Sequence, residues 1–364
     1  MIAMVLHGGD VLRMATEYGI APESILDFSA NVNPRGLPLR ARERMQQCAA
    51  DPASWQVYPD AEYRSLRTAL AHKHHVPIES ILIGAGATAL LGATIHALQP
   101  LRCLLPVPAF SEYKHLCEVE GVTTDQLPLQ PENGFRIDAG AYRATLENRP
   151  CDLLILTNPH NPSGALLRNG EMLSILERAR AHGVFTIVDE AFIDYSPNES
   201  VIQHAAQVPN VAVVRSLTKF YGCPGLRVGF LAGMPELVSR IASVVATWPV
   251  TTLAAMVLEE AIQDKDFADQ TLRSNSTERE SLAAALIQMG AQVFPSHANF
   301  LLIRLKDGWP DSTVTRDCLL RRRGIAVRDC NSYAALTRGK YIRVAVRTAE
   351  ENLQLLEGLR EIWK

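Results

Sequence analysis

A chain of 364 residues with 47% apolar and 21% charged content has the make-up of an ordinary globular protein, with room for about two to three domains or one large domain and an appendage. A formal net charge of −3, from 36 basic against 39 acidic residues, argues against nucleic acid as a partner, because no electrostatic footprint is left for phosphate tracks. The seven cysteines, at 48, 103, 117, 151, 223, 318 and 330, form no Cys-x-x-Cys pair and no cluster with histidine. Reduced thiols in a cytoplasmic protein without a metal site are therefore expected.

The first forty residues read as an arm with little core of its own. His7-Gly8-Gly9-Asp10 is a turn signal, Val11 to Tyr18 a short helix, and Asp27 to Pro34 an extended polar segment broken by Asn33-Pro34 and Gly36. Helical patterns follow at about 39–50 and 60–74, the second capped by Pro59-Asp60. Ile81 to Leu98 carries no charge, which meets the length of a spanning helix. Gly84, Gly86 and Gly92, with Thr88, Thr94 and His96, make it a strand, a glycine turn and a helix instead, so no membrane span is expected. The chain start lacks the basic segment of a signal peptide.

From about residue 80 strands and helices alternate. Ile81–Ile83, Arg102–Leu105, Asp152–Thr157, Val184–Val188 and Val211–Val214 read as strands, with helices ending near Leu98 and spanning about Phe110–Gly121 and Glu171–His182. That alternation predicts an α/β fold with a mostly parallel central sheet covered on both faces. Ligands in such sheets sit outside the carboxyl ends of the strands. After Trp248-Pro249 the texture changes. A helical region at about 250–289, broken near Asp264-Lys265 and at Ser274, precedes alternating segments at 292–294, 299–304, 325–328 and 341–346 and a last helix at 349–362. The expected division is an arm over 1–38 that joins the small domain and covers the site, a large domain over 39–247, and a small α+β domain over 248–364.

Four polar loops follow strand ends. Lys219 ends Arg-Ser-Leu-Thr-Lys, after Ser216 and Thr218 and ahead of Gly222, Pro224, Gly225 and Arg227. An ammonium at the end of a buried strand is costly unless paired or neutralised, although Ser-x-Thr-Lys alone equally fits a lysine that reaches solvent. Asp189 ends another apolar strand, where a carboxylate needs a cation. Asn161 lies in Asn-Pro-x-Asn-Pro-x-Gly, which holds the backbone and leaves an amide as hydrogen-bond partner. Gly86, Ala87 and Thr88 open a helix and offer N–H groups to an anion. A Schiff-base lysine, a carboxylate beneath a pyridinium nitrogen, an amide near a phenolic oxygen and a phosphate cup are the requirements of pyridoxal phosphate.

The motifs Asn-Pro-x-Asn-Pro-x-Gly, Asp-Glu-Ala, Ser-Leu-Thr-Lys and Gly-Leu-Arg-x-Gly, in this order, resemble those of the fold-type I pyridoxal-phosphate enzymes of the aspartate aminotransferase superfamily, and the resemblance runs from about residue 58 to 343. It implies that Lys219 carries the cofactor, Asp189 pairs with the pyridinium N–H and Asn161 donates to the phenolate oxygen. Phe110 would stack on the ring, or else simply pack in the core. The phosphate would be held by Gly86, Ala87, Thr88, Ser216, Thr218 and Arg227. Tyr58 would reach the phosphate from a neighbouring subunit, implying a homodimer with shared sites, or else pack within its own chain. One position departs from the pattern: the tyrosine that many relatives carry after Asp-Glu-Ala is Phe192 here, which removes a donor to the phenolate oxygen and leaves straightforward transamination less well supported.

His7-Gly8-Gly9 followed by Asp-Phe-Ser-Ala-Asn-x-Asn-Pro, with Asp-Glu-Ala-Phe and Arg-Ser-Leu-Thr-Lys-Phe-Tyr, resembles the family of L-threonine-O-3-phosphate decarboxylases of cobalamin biosynthesis. That resemblance implies a phosphorylated amino acid as substrate, (R)-1-amino-2-propanol phosphate as product, and contacts from His7, Gly8, Asn31 and Asn161. Arg328 and Arg343 would bind the two anionic groups, a guanidinium suiting carboxylate and phosphate alike; as isolated strand arginines they would fit surface salt bridges as well. The alternative is a histidinol-phosphate aminotransferase working with 2-oxoglutarate.

Overall fold

The computed structural model describes residues 8–364 except 139, 141, 143 and 146–149; His7 therefore lies outside the described residues. Runs of small and β-branched apolar residues build the larger sheet. Its seven strands are β2 (Ile81–Gly84), β3 (Arg102–Val107), β4 (Thr123–Pro128), β5 (Leu153–Thr157), β6 (Phe185–Asp189), β7 (Val211–Ser216) and β8 (Gly229–Ala232). They lie in the order β2-β8-β7-β6-β5-β3-β4, and all run parallel except β8, which is antiparallel to both neighbours. Successive residues supply opposite faces. Val211 and Val213 enter one apolar core while Ala212 and Val214 enter the other, so β7 is buried along its whole length, as a strand covered on both sides must be.

A second sheet is antiparallel, in the order β12 (Arg328–Asp329), β13 (Tyr341–Ala345), β10 (Phe300–Arg304), β9 (Gln292–Val293). It packs against the helices Ser312–Arg323, Ala349–Ile362 and the end of Lys265–Gln288 through a core that includes Leu282, Leu301, Leu319 and Leu355. The arm is stitched to this unit. β1 (Leu26–Asp27) pairs in parallel with β11 (Ile325–Ala326), and Ala345 N–H donates to Phe28 O at 2.8 Å. The segment that follows crosses to the large sheet, where Asn33 N–H meets Lys219 O at 3.1 Å.

Several expectations are corrected. β4 and β8 are strands beyond those the sequence predicts: β4 is a half-exposed edge with the polar sequence TTDQLP, and β8 starts at the last glycine of the run that reads as a phosphate turn. The helix expected from residue 60 begins at Arg64, because Asp60 folds back and accepts Arg64 N–H at 3.0 Å. The break at Asp264 is present, its side chain capping the next helix through Phe267 N–H, but the helix Lys265–Gln288 passes through Ser274 without interruption. The segment 325–328 is two short strands, β11 and β12. Val250, Ala254, Val257, Leu258, Ala261 and Phe267 belong to a core of the large sheet. The change of core thus falls inside the helix Lys265–Gln288, later than the change of texture at Trp248-Pro249. Among the described residues no helix is long and apolar enough to cross a membrane.

Candidate active site

The carboxyl ends of β5, β6 and β7 open into a cavity of about 400 Å³ that the arm and the second sheet close from above. Parallel register sets Thr157 beside Asp189, and Ser216 ends β7 on the far side. The cavity is lined by Gly8, Asn31, Ala87, Thr88, Phe110 and Asn161, and by Asp189, Ser216, Thr218, Lys219, Arg227, Arg328 and Arg343. Residues expected from widely separated stretches of chain thus converge. Gly86 adjoins them as the N-cap of the helix Ala87–Leu98. Tyr58 does not join them: it is 74% exposed and stacks on Trp248 with centroids 4.3 Å apart.

Asp189 is buried on the cavity floor. Its Oδ2 accepts the Tyr113 hydroxyl at 2.7 Å and its Oδ1 accepts Ala191 N–H at 2.8 Å. Burial pushes its pKa up, opposed by the Tyr113 hydrogen bond, the Ala191 amide and the Lys219 charge. Thr157 Oγ1 lies 2.9 Å from the Tyr113 oxygen. The single phenolic proton is already committed to Asp189, so Thr157 is the donor there. Burial, then Asp189, holds the Tyr113 phenol well above its ordinary range.

Lys219 lines the same cavity, and its side-chain Nζ has no hydrogen-bond or ion-pair partner among the described residues. Burial, reinforced by the charges of Arg227 and Arg343, lowers its pKa to about 8. An unpartnered amine near neutrality is a candidate nucleophile and proton carrier.

Opposite Lys219 an anion cup is built from backbone. Gly86 sits at φ +91°, and a Cβ there would lie 2.8 Å from Arg227 Nη2, so only glycine lets the guanidinium approach the helix start. Gly229 on β8 likewise brings its backbone against Ala87 N, 2.7 Å from where a Cβ would be. No side chain caps the helix Ala87–Leu98, which leaves its first N–H groups toward the cavity beside Ser216 and Thr218. Arg227 itself adopts φ +52°, a left-handed conformation that a bulky residue keeps only where its surroundings hold it.

The loop Asn158–Gly164 is pinned at both ends. Asn158 exchanges two hydrogen bonds with Leu167, and His160, held neutral by burial at a pKa of about 4, bridges Ser163 Oγ and Pro108 O. Asn161 Oδ1 accepts from Arg343 Nη1 at 2.6 Å. That cation fixes which end of the amide is oxygen and leaves the Nδ2 protons to serve a ligand. Arg343 Nη1 also donates to the Tyr333 hydroxyl at 3.1 Å and Nη2 to Ser29 O at 3.0 Å. No carboxylate faces this buried guanidinium among the described residues.

Arg328 and Arg343 are directly opposite each other in the β12–β13 register. Opposed residues project from the same face, and like charges there are destabilising unless an anion lies between them. Tyr333 stands between the pair, its oxygen on Arg343 and its ring 5.7 Å from Arg328. Phe192 is buried edge-to-face on Phe300 at 5.0 Å, and the Arg343 guanidinium lies over the other ring of that pair, 5.3 Å from the Phe300 centroid. The position is thus an apolar support for the arginine.

Tyr113, Thr157, Tyr333 and Ser29 were missed in the sequence. Tyr113 had a signal, since it stands three residues beyond Phe110 and so shares a face of the helix Ser111–Val119. Ser29 lies in the Asp-Phe-Ser-Ala-Asn run that marks the arm, while Thr157 and Tyr333 have no local signal.

Residues 23–359 match the family model of aminotransferase class I and II. The chain belongs to that family, and its fold is the fold-type I arrangement. It is similar to threonine-phosphate decarboxylase of Salmonella typhimurium, with 34% identity over 98% of this chain and 96% of that protein. It is also similar to the adenosylcobalamin biosynthesis bifunctional protein of Leptospira interrogans, 33% identical over 98% of this chain, which spans 41% of that protein's length. Among solved structures, histidinol-phosphate aminotransferase from Clostridium acetobutylicum superimposes with a TM-score of 0.84 at 26% identity, covering 93% of this chain and 99% of that one.

Proposed function

We propose that the chain is a pyridoxal-phosphate-dependent carboxy-lyase that converts L-threonine O-3-phosphate to (R)-1-amino-2-propanol O-2-phosphate and carbon dioxide in the cytoplasmic biosynthesis of cobalamin. The observation that carries this reading is the directly opposed pair Arg328 and Arg343, both facing the cavity and suited to a substrate with two anionic groups. The similarity to Salmonella threonine-phosphate decarboxylase supports it.

The cavity fits the cofactor. The glycine cradle at 86, the uncapped helix start and Arg227 suit its phosphate, and the unpartnered Lys219 suits its aldehyde. Asp189 suits its ring nitrogen, the Asn161 Nδ2 its phenolic oxygen, and Phe110 its ring face. When bound, pyridoxal phosphate supplies an electron sink for the bond broken at Cα.

The protein's own part is orientation and proton transfer. Arg328, Arg343, Asn31 and Gly8 grip the two anionic ends, so that remote binding energy sets which bond at Cα stands perpendicular to the ring. A decarboxylase must hold the carboxylate in that position, where an aminotransferase holds the hydrogen. Phe192, packed edge-to-face on Phe300, gives the cavity an apolar side. Lys219 Nζ delivers the proton that replaces the carboxylate.

Trp55, Val57 and Tyr58, at 62%, 64% and 74% exposure, form an apolar patch consistent with a homodimer in which Tyr58 reaches the partner's cofactor phosphate. The division into an arm over 1–38, a large domain over 39–247 and a small domain over 248–364 is part of the same reading; the helices after 248 still add Val257, Leu258 and Phe267 to the core of the large sheet.

The test is direct. Holoenzyme given L-threonine phosphate is expected to release carbon dioxide and 1-amino-2-propanol phosphate. Neither product, together with glutamate formed from 2-oxoglutarate and histidinol phosphate consumed, would establish the aminotransferase instead.

A further inference from the structure

Asn33 is buried at 4% exposure and does not itself line the cavity. Its backbone N–H donates to the carbonyl of Lys219 at 3.1 Å, and its Nδ2 donates to the carbonyl of Phe220 at 2.7 Å and approaches Thr271 Oγ1 at 3.3 Å. Its Oδ1 accepts Arg35 N–H at 3.1 Å, which folds the arm into a turn that Gly36 N–H closes on Asn33 O at 3.2 Å. One side chain therefore has to donate and accept at once, which asparagine does and aspartate does not.

The turn it grips is the one that follows the reactive lysine. Gly222 N–H also donates to Lys219 O, at 3.4 Å, and a Cβ on Gly222 would lie 2.5 Å from Gly36 Cα. Arm and lysine turn are thus pressed backbone to backbone, with no room for a side chain between them. Two residues earlier in the arm, Asn31 lines the cavity with its Oδ1 buried and unpartnered among the described residues. Two residues before Asn31, the arm is anchored to the second sheet by Arg343 on Ser29 O. A contact made at Asn31 therefore has a short, buried path to the Lys219 backbone.

We propose that Asn33 is a positioning residue for Lys219, tying the arm that faces the substrate to the turn that carries the reactive amine. This rests on the reading of Lys219 as the cofactor-bearing lysine. Without the Asn33 side chain, Phe220 O loses its donor and the arm's turn loses the acceptor for Arg35 N–H, so the backbone N–H that meets Lys219 O is no longer held in place and the Nζ loses a defined approach to Cα. The arginines and Asn31 still bind the substrate. Proton delivery and attack are geometry-sensitive steps, so the loss falls on turnover rather than on affinity.

The experiment compares holoenzyme of the parent with Asn33→Ala and Asn33→Asp, the second keeping the acceptor for Arg35 while removing the donor to Phe220. For both, kcat is expected to fall about tenfold with KM within about twofold. The midpoint of the bound cofactor's absorbance change with pH is expected to move by about half a unit or more. A stability defect alone lowers the unfolding temperature and leaves both readouts, per folded active site, where they were. Unchanged kcat and an unchanged midpoint would overturn the proposal. Should both Asn33 variants fail to fold, Gly222→Ala, which separates the same two backbones, decides by the same readouts. Absence of lysine-bound cofactor absorbance in the parent would instead refute the reading of Lys219, so the two failures are distinguishable.

Discussion

Replacing Tyr113 by Phe removes one hydroxyl from beneath the cavity. Asp189 accepts two hydrogen bonds in the structure, from Tyr113 at 2.7 Å and from Ala191 N–H at 2.8 Å. A hydrogen bond to a charged group contributes about 1.5–3 kcal/mol, which at about 1.36 kcal/mol per unit raises the Asp189 pKa by about one to two units when it is lost. Cofactor binding through a pyridinium N–H needs the ionised carboxylate. Affinity is therefore present above the Asp189 pKa and is lost as pH falls through it. The expected outcome in Tyr113→Phe is an acid limb of pyridoxal-phosphate binding to the apo-protein displaced upward by about one to two pH units, with affinity recovered at alkaline pH. Folding has the opposite sign. A carboxyl whose pKa is raised by burial favours the folded state most below its unfolded pKa and loses that contribution as pH rises through the folded value. The apo variant should thus lose stability at neutral pH and little in acid. Titration of apo-protein with cofactor across the pH range is the assay. An acid limb at the same pH in both proteins would refute the assignment of Tyr113 as the support of Asp189.

Three further substitutions probe other walls of the cavity. Gly86→Ala puts a Cβ 2.8 Å from Arg227 Nη2 at φ +91°; strain of about 1–3 kcal/mol should weaken cofactor binding about tenfold or more, read by absorbance titration of the apo-protein. Arg343→Met leaves Ser29 O without its donor and Asn161 Oδ1 with only the longer bond from the Tyr333 hydroxyl at 3.4 Å, and the loss of about 2 kcal/mol or more is expected to raise KM about 30-fold, measured in steady-state decarboxylation. Phe192→Tyr restores a hydroxyl beside the cavity and is expected to shift the absorbance titration of the bound cofactor to lower pH; the same midpoint in both proteins would show that the hydroxyl does not reach the phenolic oxygen.

The parts of the site legible in the sequence are those where chemistry and secondary structure conflict locally. Lys219 and Asp189 end apolar strands where a charge is out of place, and Gly86 opens a helix where a turn needs positive φ, so each announces itself within a few residues. What stayed hidden depends on pairing between distant segments. Arg328 and Arg343 were visible as two arginines, but their direct opposition is a matter of β12–β13 register, which a two-residue strand does not betray. Tyr333 lies in a loop beside them and acquires meaning only from that register. Phe192 reads as a lost hydroxyl in the sequence, whereas in the structure it is half of an aromatic pair under Arg343. Asn33 sits in a motif that marks the arm, and nothing local shows that its partner is the carbonyl of Lys219. In the fold, the polar edge strand β4 lacks the apolar run that marked its neighbours. The helix Thr252–Gln263 follows a proline break yet packs back on the large sheet, because its apolar face meets the helices Leu39–Ala50 and Arg64–His74.

The central claim is that this cavity expels the carboxylate from Cα and keeps the hydrogen. Turnover of L-threonine phosphate in heavy water, followed by proton and deuterium spectra of the product, tests it most directly. The account predicts 1-amino-2-propanol phosphate with a single deuterium at the aminomethyl carbon beside the original hydrogen, and no exchange in the remaining substrate. Deuterium appearing at Cα of unreacted substrate, with the cofactor accumulating in its amine form, would contradict it.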